Sequence, residues 1–191
     1  MKKMLVVFAF CFAVFNSDGA VDWDIYDDAS IQNGDVYSAV NVFSDSFVEM
    51  TGGGINILKT FDTAEFAIIR GDVSAGIQLY DSSTVNIYDG NIFGLTANDA
   101  STVNIYGGGL EYQYGISSEA VVNYFVSSYS LYDAGGQGVI MNGYWKDGSP
   151  FSVSFRDSES WDKANIIIVP EPATVLFFGL AGGVLYNRRK A

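Results

Sequence analysis

The 191-residue chain has no histidine, one cysteine and three prolines, and only 10 Lys and Arg against 22 Asp and Glu. Each shortage excludes something. Without histidine there is no Ser-His-Asp or Cys-His catalytic unit and no His-ligated zinc. The lone Cys11 forms no internal disulfide and lies in a segment expected to be removed. A formal net charge of −12 leaves too little basic surface to displace counterions, so no nucleic-acid partner is expected. What is plentiful is aromatic or small: 14 Phe, 12 Tyr, 3 Trp and 21 Gly. With so few prolines, that mixture fits a β-rich body of one domain better than a disordered acidic chain.

Both ends read as targeting segments. Lys2 and Lys3 form a positive start, and Met4 to Phe15 are twelve apolar residues. Small residues then offer cleavage after Gly19, with Ser17 at −3, or after Ala20. Asp18 at −3 makes the second choice poor, so residues 1–19 are expected to be a signal peptide, helical before removal. Phe10 before Cys11 argues against a lipoprotein cysteine. At the other end, Val169-Pro170-Glu171-Pro172 precedes the apolar run Ala173 to Tyr186 and the basic cluster Arg188-Arg189-Lys190. The two prolines force an extended segment, so the last strand of the body must stop before them. The fourteen apolar residues would make a helix of about 21 Å, short for a bilayer core of about 30 Å. Basic residues after it keep the tail cytoplasmic. That layout suits a temporary stop in the inner membrane, with the body outside.

Val169-Pro170-Glu171-Pro172-Ala173, the short Gly-containing hydrophobic segment and the terminal Arg188, Arg189 and Lys190 resemble the PEP-CTERM sorting domain. The resemblance covers residues 169–191, with all three parts in order. It implies recognition by an exosortase, a membrane-bound transpeptidase-like enzyme of Gram-negative bacteria, after export by the general secretion machinery and signal peptidase. It also implies a final location at the cell surface or in the extracellular matrix. It says little of what the body does.

The body is repetitive. Ser83-Thr84-Val85-Asn86-Ile87-Tyr88 recurs as Ser101-Thr102-Val103-Asn104-Ile105-Tyr106, a period of 18, with Gly90 and Gly108 in register. Val40-Asn41-Val42-Phe43, Ile55-Asn56-Ile57-Leu58, Ala67-Ile68-Ile69-Arg70 and Val122-Asn123-Tyr124-Phe125 resemble the same tetrad. Alternation places Val85, Ile87, Val103 and Ile105 inward and Asn86, Tyr88, Asn104 and Tyr106 outward. Eighteen residues are too few for a βαβ unit, but at roughly 3.3 Å each they trace a coil of about 60 Å, enough for three short strands. The expectation is an all-β chain: a parallel β-helix or β-solenoid over residues 20–137, with about six coils. A β-sandwich is its rival. Val139 to Trp145 and Phe151 to Phe155, joined through Asp147-Gly148, read as a hairpin that caps the solenoid within residues 138–168. Trp23 to Tyr37 is the candidate cap at the other end.

The candidate chemistry lies on the outward face. Asn41, Asn56, Asn86, Asn104 and Asn123 would form an amide ladder, or a stripe for sugar hydroxyls. Phe43, Leu58, Arg70, Tyr88, Tyr106 and Phe125 would form the neighbouring column, stacked on one another or open to a glycan. Asp81, Asp89, Asp99, Asp133 and Asp147 are expected at turns, bonded to nearby backbone. No EF-hand or Gly-Gly-x-Gly-x-Asp repeat occurs, so no metal site or cofactor is expected. Setting aside both targeting segments, 20 acids and 5 bases remain. The bases, Lys59, Arg70, Lys146, Arg156 and Lys163, show no clustering that would suit a lyase. The expectation is therefore a non-enzymatic matrix protein, structural or adhesive, with exopolysaccharide as a partner. A carbohydrate-binding module using Asn86, Tyr88, Asn104 and Tyr106 is the alternative, and a small polysaccharide lyase or hydrolase comes third.

Overall fold

A computed structural model describes residues 21–135, 138–156 and 164–168. The expected signal peptide, the Pro-Glu-Pro motif, the hydrophobic run and the basic cluster lie outside them. The described residues form fifteen strands and no α-helix. Six run down one side: β1 (Val21–Ile25), β3 (Val36–Val42), β5 (Gly54–Thr60), β7 (Asp72–Leu79), β9 (Asn91–Ala97) and β11 (Gly109–Ile116). Alternating with them in the chain are β2 (Ala29–Ile31), β4 (Phe47–Met50), β6 (Glu65–Ile68), β8 (Thr84–Ile87), β10 (Thr102–Ile105) and β12 (Val121–Asp133). Each series pairs in parallel with its own neighbours, so the chain winds through six coils. Beyond the β1–β3 pair, where it is 17 at Trp23↔Val40, the register advances by 18 or 19 residues per coil, as Val85↔Val103 and Val103↔Val122 illustrate. A solenoid is therefore formed, not a sandwich.

One expectation is corrected. Each coil holds two strands rather than three, because the punctuation falls at only two corners. Ser, Asp and Ala make one corner, and Gly with Asn or Asp makes the other. The core lies between a long-strand sheet and a short-strand sheet. Val48, Phe66, Val85, Val103 and Val122 form one buried column, and Met50, Ile68, Ile87 and Ile105 form the next. Facing them are Val40, Leu58, Ile77 and Leu95. Full burial of each such side chain stabilises by about 1.5–3 kcal/mol.

The cap is a hairpin, as expected, of β13 (Val139–Trp145) and β14 (Pro150–Phe155). It joins the two sheets. The outer half of β12 pairs antiparallel with β13, and β14 pairs in parallel with β11. The final strand β15 (Ala164–Ile168) returns to the short-strand sheet beside β12. Under the cap, between Ile105 and Ile166 in the column of aliphatics, stands Tyr124. Its hydroxyl donates to Gln113 Oε1 at 3.1 Å, while Gln113 Nε2 donates to the carbonyls of Leu95 and Gly115, both at 3.1 Å. Trp145 packs on Phe151 at 4.2 Å between ring centroids and donates from Nε1 to the Gly108 carbonyl at 2.8 Å. At the other end the expected cap is absent as a separate unit: Trp23 to Tyr37 supplies β1 and β2, the first coil itself.

Candidate functional site: the outward faces of the coils

On the short-strand sheet, Asn86, Asn104, Asn123 and Asn165 occupy one register column. Asn104 donates to Asn86 Oδ1 and Asn123 to Asn104 Oδ1, each at 2.9 Å; Asn165 reaches Asn123 Oδ1 at 3.3 Å. Asn86 ends the series on Glu65 Oε1 at 2.9 Å. The amides thus form a ladder whose donors and acceptors satisfy one another along the axis. Asn41 and Asn56 do not belong to it. They sit on β3 and β5 of the other sheet, where Asn41 donates to Asp24 and Asn56 accepts from Ser74.

Beside the amides stand Tyr88, Tyr106 and Phe125, with centroids 5.0 and 4.4 Å apart and planes within 8° and 12° of parallel. Tyr88 is 47% exposed and Tyr106 36%. Burial first and Tyr88 second push the Tyr106 hydroxyl above the ordinary tyrosine value. The rest of the expected column is corrected by the register. Ile69, not Arg70, precedes Tyr88, because Ile68 pairs with Ile87. Leu58 is buried in the core, and Phe43 belongs to a second stack, Tyr26–Phe43–Phe61–Tyr80, at spacings of 5.0, 4.8 and 5.1 Å.

The turn aspartates act on backbone, largely as expected. Asp89 accepts from Gly90, Asp133 from Gly135, and Asp147 from both the N–H and the hydroxyl of Ser149. Those Ser149 bonds, the hydroxyl first, hold the Asp147 carboxyl below the usual carboxylate range. Asp81 and Asp99 instead reach across coils, each accepting the N–H of the aspartate one coil earlier. Among the described residues no group of three or more His, Cys, Asp or Glu could hold a metal ion, and no helix is long and apolar enough to cross a membrane.

Two concavities adjoin the glycine corner. A groove of about 730 Å³ runs past Gly53, Gly71, Gly90 and Gly108, with Arg70, Tyr88, Asp89 and the Asp147–Ser149 turn around it. Gly90 has φ +113°, and a Cβ there would collide with the Gly71 carbonyl, so the groove floor is bare backbone. A trough of about 620 Å³ lies on the long-strand sheet. Ser74, Gly109 and Ser152 give it small lining residues, Asp72, Asn91 and Glu111 polar ones, and Phe93 stands among them 40% exposed. The aromatic cluster at this trough is not found from the sequence pattern. Phe93 meets Tyr112 edge-on at 68° and Tyr114 at 44°, and Tyr114 lies over the bare Cα of Gly94. Glu111 leads the causes that hold the Tyr112 hydroxyl above its ordinary value, and Arg156 lies 4.1 Å over the Tyr112 ring.

The chain matches no family model, no curated protein and no solved structure.

Proposed function

We propose that the protein is an exported structural and adhesive module of the cell surface or extracellular polysaccharide matrix. On this reading the Val169–Ala173 motif and the basic cluster Arg188, Arg189 and Lys190 present the tail to an exosortase-type enzyme. Signal peptidase and the general secretion machinery act at the other end. The observation that carries the structural part is the ladder arrangement. Asn86, Asn104 and Asn123, Asp62, Asp81 and Asp99, and the rings of both stacks are committed to the coil above or below. Such a body resists bending and offers little free machinery for bond cleavage. Its scattered bases and acidic turns fit a scaffold better than a lyase.

The test is fractionation of the native host. The intact protein is expected in the matrix or surface fraction, and a variant lacking residues 169–191 is expected to be lost from it. Equal distribution of the two proteins would overturn the sorting role.

A second reading uses Asn86, Tyr88, Asn104 and Tyr106 to hold a glycan, favoured by the exposure of both tyrosines. Parallel rings 5.0 Å apart cover one another's faces and turn their edges outward, whereas a sugar ring packs on a face. If this face binds glycan, replacing Tyr88 and Tyr106 with alanine abolishes retention on insoluble polysaccharide.

A further inference from the structure

We infer that the trough on the long-strand sheet is a binding site for an uncharged polysaccharide, with Phe93 as its sugar platform. This rests on the matrix reading and names the ligand class of its adhesive role.

The first argument is the ring that ladder packing does not explain. The stacks Tyr26–Phe43–Phe61–Tyr80 and Tyr88–Tyr106–Phe125 lie with planes within 12° of parallel, so each ring is covered by the next. Phe93 has no parallel neighbour among the described residues. The register around Leu110↔Ile92 and Tyr112↔Gly94 sets Glu111 beside it on one side, and the small Ser74 borders the trough on the other. The contacts of Phe93 with Tyr112, edge-on at 68°, and with Tyr114, at 44°, still leave the ring 40% exposed. It does present apolar surface to the C–H face of a pyranose.

The second argument is the polar rim. Asp72 Oδ1 accepts from Asn91 Nδ2 at 2.8 Å, which fixes both side chains at the trough before any ligand arrives. Carboxylate and amide groups of this kind accept from and donate to sugar hydroxyls. Apolar surface with a few placed polar groups is the general composition of a small-ligand site.

The third argument selects the ligand. Asp72 and Glu111 line the trough, whereas neither nearby guanidinium does: Arg156 lies over Tyr112 and Arg70 stands at the adjoining groove. An anionic polysaccharide would meet repulsion here and from the acidic body as a whole. The trough also shares Asp72, Asn91 and Gly109 with the glycine-corner groove. An open path therefore leads round the corner, suited to the interior of a chain rather than to a terminal sugar.

The experiment is affinity electrophoresis of the protein recovered from its host, through gels containing hydroxyethylcellulose, galactomannan or dextran, with alginate as the anionic comparison. At least one neutral polymer is expected to retard the protein, and alginate is not. Phe93→Ala and the volume-sparing Phe93→Leu should each weaken retardation about five- to tenfold, the range of one aromatic contact. Tyr26→Ala, an exposed ring of the other stack that lines neither concavity, should leave it within about twofold. The far-ultraviolet spectrum and melting temperature of Phe93→Leu show whether the fold is intact. Retardation by none of the neutral polymers, equal retardation by alginate, or wild-type retardation of a folded Phe93→Leu variant would each overturn the site. Fractionation separates the two claims. A protein found in the matrix but not retarded loses the trough and keeps the matrix role, whereas one retarded but never found in the matrix loses the matrix role.

Discussion

At Asp62, Asp81 and Asp99 the backbone takes φ values of 56°, 56° and 54°, a left-handed conformation that most side chains avoid. Each carboxylate offsets that cost by accepting the N–H one coil earlier, from Ser44, Asp62 and Asp81 at 3.0–3.1 Å. Two properties are required at once, tolerance of φ > 0 and an acceptor of the right reach, and asparagine has both. Asp81→Asn should therefore keep most of the stability, while Asp81→Ala should lose about 1–2 kcal/mol in urea denaturation. The inner side of the same corner gives the opposite kind of test. Ser83 Oγ bonds the Tyr80 carbonyl at 2.8 Å and Thr60 Oγ1 at 2.8 Å. The equivalent Ser101 Oγ is buried with no partner. Ser83→Ala should cost about 1 kcal/mol, and Ser101→Ala should be neutral or stabilising, because it removes an unpaid desolvation.

Among the strands, how much could be read in advance depended on which sheet a segment joins. The short strands β8 and β10 were legible because four residues alternate without interruption, so Val85/Ile87 and Val103/Ile105 declared the core and Asn86/Asn104 the ladder. The long strands were not. Register shifts between Val73 and Ile77, and between Gln113 and Gly115, break the two-residue period that marks a strand. Val40-Asn41-Val42-Phe43 imitates the short-strand motif while lying on the opposite sheet, which is why Phe43 joins Phe61 rather than Tyr88. Phe93 was invisible for a related reason: what surrounds it comes from β7, β11 and β14, which only the coil register brings together. The cap carries its own prediction. Burial raises the Tyr124 hydroxyl well above the ordinary tyrosine value. The folded state therefore keeps its proton where the unfolded chain releases it, and stability falls as pH rises above about 10. Tyr124→Phe should flatten that alkaline loss, while costing about 1 kcal/mol at neutral pH by leaving Gln113 Oε1 unpaired. Denaturation curves at pH 8 and pH 10.5 separate the two effects.

Taken whole, the protein is a short acidic solenoid closed at its C-terminal end by a hairpin that ties both sheets together. Repetition gives it stiffness, since each coil is held by backbone pairing, by a packed interior and by side-chain ladders running along the same axis. In the function proposed above, that body lies between two targeting segments, one to be removed on export and one to be read at the membrane. Intact mass of the protein recovered from the extracellular matrix of its native host tests this most directly. The predicted mass lacks the first 19 or 20 residues and the tail beyond the Pro-Glu-Pro motif, and sugar-sized increments on it would mark attachment to the matrix. A protein that retains residues 173–191 and is recovered only with the membrane would contradict the account.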